Sequence, residues 1–237
     1  MRYPNRLPDS LVTRGLVACY DFLQGADAQV LYDRGPYGYN GQLGSTSGSD
    51  VNDPVWSGIG LTYGADDFVK IPAAANINDL AQITIMSALR LDGWGGGNNG
   101  RISDKTVRQL AVVNAALTYY QEFDGAPYGS WSSAAGSLSL AGHTGAVTHD
   151  RSNAANIPAF YVDGRLSATT VINAPSGAAS TDAAYDLYLG NRSTADRYLQ
   201  GAQGYYLEYN RILTASEIAH NHNVLRGIMA RRGLVIA

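Results

Sequence analysis

The chain is poor in the residues that cover helix surfaces. Its 237 residues include three glutamates (Glu122, Glu208, Glu217) and two lysines (Lys70, Lys105). Water-facing helices draw heavily on both, so a helical architecture is disfavoured. There is one cysteine, Cys19, which excludes an intrachain disulfide and any zinc site built from several thiolates. It sits in the apolar run Leu16-Val17-Ala18-Cys19-Tyr20, where the expected role is a small buried hydrophobe, not a reactive thiol. Charge is scarce as well. Charged residues make up 16% of the chain and the net charge is -3, so nothing offers nucleic acid a basic footprint. No run approaches the roughly 18 apolar residues of a membrane span. The opening Met1-Arg2-Tyr3-Pro4-Asn5-Arg6-Leu7-Pro8 has no apolar core of a signal peptide, and the expectation is synthesis in the cytoplasm.

What is abundant is glycine (27) and tyrosine (16), residues of turns and strands. From Gly15 onward, short strand-like runs alternate with Gly, Asn, Asp and Ser clusters. The segment Ile83-Thr84-Ile85-Met86-Ser87-Ala88-Leu89-Arg90-Leu91 alternates as a half-buried strand should. Tyr161-Val162-Asp163-Gly164-Arg165-Leu166 reads as a hairpin, because Asp-Gly supplies the positive φ values of a tight turn. Thr214-Ala215-Ser216-Glu217 is a capping box that opens one helix, with apolar Ile218, Leu225 and Ile228 near helical spacing. The expected fold is all-β, a sandwich or jelly roll of two antiparallel sheets with one short C-terminal helix. The organisation expected is an N-terminal arm over 1–14, the jelly roll over 15–213, and a helix and tail over 214–237.

Several segments, in order, resemble a known family. They are Gly15-Leu16-Val17-Ala18-Cys19-Tyr20-Asp21-Phe22, Asn40-Gly41-Gln42-Leu43, Gly60-Leu61-Thr62-Tyr63-Gly64-Ala65-Asp66-Asp67-Phe68-Val69, Phe160-Tyr161-Val162-Asp163-Gly164, and Glu208-Tyr209-Asn210-Arg211-Ile212-Leu213-Thr214-Ala215-Ser216-Glu217-Ile218. Together they resemble a LamG-type domain of the concanavalin A-like lectin/glucanase superfamily. The run from Asn40 to Trp56 and the terminus around Leu225–Leu234 further resemble stand-alone members encoded by phages and prophages. That resemblance implies a concanavalin A-like jelly roll serving as a non-enzymatic virion surface protein, a capsid decoration or tail-appendage component. Its partners would be other virion proteins, a major capsid or tail protein, with homo-oligomerisation and contact with a surface glycan. It would be made in the host cytoplasm and sit on the virion surface after assembly. The alternative is a carbohydrate-binding lectin module without a virion role.

Three chemistries follow as candidates. Glycoside hydrolysis needs two carboxylates at about 5 Å or about 6.5–9.5 Å, which the glucanase branch sets on one strand as Glu-x-Asp-x-x-Glu. The three glutamates here are scattered, none begins such a motif, and a hydrolase is disfavoured. Calcium, the one cofactor the resemblance leaves open, would be sought at Asp66 and Asp67. Many relatives read Phe-Asp-Gly just before that point, whereas this chain reads Tyr63-Gly64 and lacks the carboxylate. Glycan stacking would use loop aromatics: Trp94 in a glycine tract expected to be mobile, the pair Tyr128 and Trp131, and the pair Tyr37 and Tyr39. His149-Asp150 has no serine motif beside it, and His220-Asn221-His222 is expected as a surface pair at a helix end. Of the closing tyrosines, Tyr206 should face opposite to Tyr205 and Tyr209, one set in the core and the other on a concave or interface surface.

Overall fold

Strand alternation builds two large sheets, described in a computed structural model that covers residues 10–25, 27–125 and 128–237. Of the arm expected over 1–14, residues 1–9 lie outside the described residues, as does Pro127 beside Tyr128. The first sheet runs Arg165–Ser167, Ala159–Val162, Gly142–Asp150, Gln82–Leu91, Gly201–Tyr209, Leu61–Thr62, Val55–Trp56, and Leu16–Tyr20 pairs with Gly201–Tyr209 outside that path. The second runs Thr170–Asn173, Gly129–Ser132, Ala116–Gln121, Arg108–Val113, Asn99–Asp104, Leu187–Leu189, Val69–Ile71, Gly41–Leu43, Val30–Leu31. Within both sheets each described ladder is antiparallel. The fold is a β-sandwich with one α-helix among the described residues, Ala215–Arg231, as the sequence pattern predicts.

The two inner faces close on one core that includes Ile83, Ile85, Leu89, Leu110, Leu117, Val147, Phe160 and Tyr206. Each such side chain contributes about 1.5–3 kcal/mol by leaving water. A second cluster lies on the outer side of the first sheet, where Met86, Ala88, Tyr205, Leu207 and Tyr209 meet Ile218, Leu225 and Met229 of the helix. The strand Gln82–Leu91 is therefore covered on both faces, not half-buried. The tyrosines partition as alternation requires. Tyr206 faces the inter-sheet core and Tyr205 and Tyr209 face the helix, so neither set forms the concave or interface surface expected of one of them.

The helix begins where its capping box predicts: Thr214 accepts from the Glu217 amide while the Glu217 carboxylate accepts from the Thr214 amide. Its His220-Asn221-His222 segment is mid-helix. His222 and Asn221 are buried: Asn221 donates to the Tyr209 hydroxyl (2.9 Å) and accepts from the Val12 amide (3.0 Å). The C-terminal arginines also divide. Arg231 is exposed, but Arg232 turns inward and donates to the carbonyls of Asp21 (2.7 Å) and Gly204 (3.1 Å).

Candidate ligand-binding face

The helix covers the outside of the first sheet; the outer face of the second has no such layer over it among the described residues. Directly paired residues of an antiparallel ladder point to the same face, so the register identifies what this face presents. One row crosses eight strands: Val30 pairs with Gln42, Gln42 with Lys70, Lys70 with Tyr188, Tyr188 with Asp104, Asp104 with Gln109, Gln109 with Tyr120, and Tyr120 with Ser130. Gln42, Lys70, Tyr188, Gln109 and Tyr120 are half-buried, with their edges or tips open to water. The opposite faces of the same strands carry Leu110, Leu117 and Leu189 into the core. Amides, a cation and phenol rings laid side by side are the complement of a saccharide, which offers hydroxyls at its rim and C–H groups on its faces.

The row is held from both sides. Lys70 pairs with Asp186 (3.0 Å), and Tyr188 takes the edge of Phe68 with ring centroids 5.4 Å apart. The guanidinium of Arg101 lies 5.2 Å from the centroid of Tyr120, and Arg101 pairs with Asp104 at 3.1 Å. Burial lifts the Asp104 carboxyl above its ordinary range, against the pull of the Thr106 amide and Arg101. At the Val30 end the face deepens into a cavity of about 420 Å³ lined by Asp27, Gln29, Asn40, Gln42, Ser45 and Lys70, among others. The Oε1 of Gln29 is buried there without a hydrogen-bond partner. A buried amide oxygen without a donor is costly.

The aromatics expected to bind sugar are distributed unevenly. Tyr128 is 54% exposed and sets its ring against Tyr120 at 6.2 Å, at one end of the row. Tyr37, 45% exposed, stacks on Tyr39 at 5.6 Å in the loop that leads to Asn40 of the cavity. Tyr39 is tied down, its hydroxyl accepting from Asn76 (2.9 Å) and its carbonyl from Tyr20 (2.6 Å). Trp131 is not a loop residue. It lies on the strand Gly129–Ser132, 1% exposed, between Tyr119 and the His149 ring, where no sugar reaches it. Trp94 is half-buried against the core, and its glycine tract is pinned: a Cβ on Gly95 (φ +79) would lie 2.3 Å from the Tyr198 carbonyl.

The carboxylates separate too. Asp66 is exposed, whereas Asp67 is buried and accepts from the Gly64 amide. Among the described residues no group of three or more His, Cys, Asp or Glu side chains is placed to hold a metal. The glutamates are committed elsewhere: Glu217 to the helix cap and Arg211, Glu208 to a buried ion cluster, while Glu122 is exposed. Cys19 is fully buried, and that burial, with Asp21 and Asp33 nearby, pushes its thiol well above the ordinary range.

Two polar arrangements escape sequence reading. The first lies between the sheets, where Arg108 donates to Asp182 (2.8 Å), to Glu208 (2.7 Å) and to the Ile77 carbonyl (2.9 Å). Lys105 and Arg151 also pair with Asp182, and the Tyr206 hydroxyl donates to Glu208 (2.6 Å). The second joins Ser139, His143 and Asp163: His143 Nδ1 meets the Asp163 carboxylate at 2.8 Å, and Nε2 meets the Ser139 hydroxyl at 3.0 Å. That order matches a nucleophilic triad. Here, however, Nε2 also accepts from the Ser139 amide (3.1 Å), so amide and hydroxyl share one lone pair. The Asp163 carboxylate likewise takes the Thr144 amide (2.9 Å). The arrangement is a clasp between a turn, a strand and a hairpin. His149, the histidine weighed from the sequence, is buried elsewhere against Tyr119.

Neither a known family model nor a curated protein sequence matches the chain. Solved structures do. Botulinum neurotoxin type C, whose cell entry is described as dependent upon interaction with two ganglioside molecules, aligns over 90% of this chain and 52% of its own, with a TM-score of 0.59 at 12% identity. The binding domain of botulinum neurotoxin DC, in complex with rat synaptotagmin II, gives a TM-score of 0.58 at 12% identity over 90% of this chain and 52% of its own. The binding domain of Paraclostridial Mosquitocidal Protein 1 gives 0.57 at 12% identity over 91% and 53%. The chain thus spans about half the length of these toxin chains, and the likeness is one of fold, a β-sandwich.

Proposed function

We propose that this chain is a non-enzymatic, lectin-like adhesion module that binds a glycan across the open face of its second sheet. The observation that carries the reading is the cross-strand row Gln42, Lys70, Tyr188, Gln109 and Tyr120, ending in a cavity of about 420 Å³ bordered by Asp27, Asn40, Ser45 and Lys70. The similar toxin structures, described with ganglioside molecules and with rat synaptotagmin II, add support at the level of fold. The LamG resemblance of the sequence adds the same. A virion exterior, with capsid or tail proteins as partners and self-association, is the setting we propose for the module; its support is the sequence resemblance alone, and mass spectrometry of purified virions tests it.

The binding reading is tested on a glycan array, followed by titration of a hit with and without calcium. Tyr120→Ala and Tyr188→Ala are each expected to weaken binding about tenfold, the worth of roughly one stacked ring plus its rim contacts. Both side chains are half-buried on the outer face, so the fold should survive their loss. An array with no binder, or a hit that both variants bind unchanged, would overturn the assignment.

A further inference from the structure

On the other side of the molecule, a cavity of about 430 Å³ opens between the turn of the Tyr161–Leu166 hairpin and the helix. Its lining includes Asp163, Gly164, Arg165, His222, Asn223 and Arg226. The floor is fixed by short bonds. His222 Nδ1 meets the Thr144 hydroxyl at 2.7 Å, and a Cβ on Gly164 (φ +73) would lie 2.9 Å from the His222 ring. Only glycine satisfies both that turn and that approach. Two carboxylates border it: Asp163, already engaged by His143 and by the Thr144 amide, and the backbone carboxylate of Ala237, which makes no ion pair with either arginine of the lining among the described residues. His222 keeps its Nε2 without a partner among the described residues.

The two guanidiniums are different. Arg165 comes from the hairpin and Arg226 from the helix, both are exposed, and neither has an ion pair or side-chain hydrogen bond among the described residues. Their charge is felt: burial first, then Arg226 and Arg165, keep the His222 pKa below its ordinary value, although Asp163 pulls it up. Two free guanidinium forks around a concave site, with a neutral imidazole and an amide beside them, match an oxyanion carried on a small polar body. The volume fits a ligand of about one or two sugar rings.

We propose that this cavity is an anion site, separate from the open face, that takes the carboxylate or sulfate of an acidic saccharide between Arg165 and Arg226. The carboxylate or sulfate oxygens accept from the guanidiniums, while the Asn223 amide and His222 Nε2 are left for ring hydroxyls.

The test is a ¹H–¹⁵N NMR titration of the full chain at constant ionic strength, with sodium glucuronate, sodium sulfate and neutral methyl glucoside as probes. Glucuronate or sulfate should shift the Gly164 and Arg226 amides saturably, and methyl glucoside should not. Saturation by glucuronate alone identifies a carboxylate site, by sulfate alone a sulfate site, and by both a general oxyanion site. The double variant Arg165→Ala/Arg226→Ala should weaken the effective probe at least about tenfold, as loss of charge-assisted hydrogen bonds predicts. Both side chains are exposed, so an unchanged amide spectrum elsewhere checks the fold. Shifts that never saturate with any probe, that methyl glucoside reproduces, or that persist in the double variant would overturn the proposal. Because Tyr120 and Tyr188 are on the opposite side of the sandwich, their variants separate failure of this site from failure of the open face.

Discussion

Two regions gather arginine, and they treat it in opposite ways. Between the sheets, Arg108 and Arg151 are almost wholly buried, and each is tied to a carboxylate and to backbone carbonyls. Around the hairpin cavity, Arg165 and Arg226 are exposed with no acidic partner among the described residues. The difference follows from desolvation. A cation removed from water costs several kcal/mol unless anions and carbonyls replace the water, so each buried arginine is matched by a carboxylate within the cluster, with the Arg151 Nε left without a partner among the described residues. A cation left in water bears no such demand and stays available to something outside. By this criterion the core cluster is structural. Its ions come from the first sheet (Glu208), the second (Arg108) and the segments between, and they clamp one sheet to the other.

The largest effect that separates the two regions is expected at Arg108. Arg108→Met leaves Asp182 and Glu208 buried without their main partner and should cost about 3–5 kcal/mol in urea unfolding. Arg226→Met should stay within about 0.5 kcal/mol. If the two variants proved equally mild, burial would not be what distinguishes the regions.

Acid should act on the core in two steps. Burial lowers the pKa of His149 from 6.5 to about 4, with Arg151 adding to the effect against the Asn156 carbonyl. The unfolded chain therefore binds a proton that the folded chain refuses. Stability is full above about pH 6.5 and falls as the pH drops toward 4, by about 3 kcal/mol. Asp182 follows. Burial alone would raise its pKa, but Arg108, the Asp79 amide, Lys105 and Arg151 bring it from 3.8 to about 2. That contribution, about 2 kcal/mol, is present above pH 3.8 and is lost on descent toward 2. Urea midpoints measured from pH 7 to 2 should show both falls, and His149→Gln should flatten the first while sparing the second. A midpoint that holds level from 6.5 to 4 would mean the imidazole is not held neutral by burial.

Local patterns reveal the fold more readily than the sites. The strands Gln82–Leu91 and Ala159–Val162, the Asp163-Gly164 turn and the Thr214–Glu217 box each declare themselves within a few residues. The open face has no such signature, because Gln42, Lys70, Gln109, Tyr120 and Tyr188 come from five strands, three of them only three residues long, and meet only once those strands pair in register. Trp131 misleads for the same reason. Its glycine and serine neighbours read as a loop, but pairing with Ala116–Gln121 turns the ring into the core. Glu208 has Tyr206 two residues away on the same face of its own strand, but its cationic partner Arg108 comes into view only when the sheets face each other.

The smallest effect concerns what holds the cavity's floor. The exposed charges there make no ion pair among the described residues, so the floor rests on buried hydrogen bonds: the Thr144–His222 contact and, next to it through Thr144 and Asp163, the Ser139–His143–Asp163 clasp. Ser139→Ala removes the hydroxyl contact and keeps the amide contact to the same Nε2, so the loss should be about 1 kcal/mol or less. Oxyanion affinity in the cavity should not change. An activated serine would behave differently: it would react with a fluorophosphonate probe, and Ser139→Ala would abolish the labelling. Because the Ser139 amide already occupies the imidazole lone pair that would take the hydroxyl proton, no labelling is expected. Labelling at Ser139 would turn the clasp into a nucleophile and make this side of the sandwich a catalytic site.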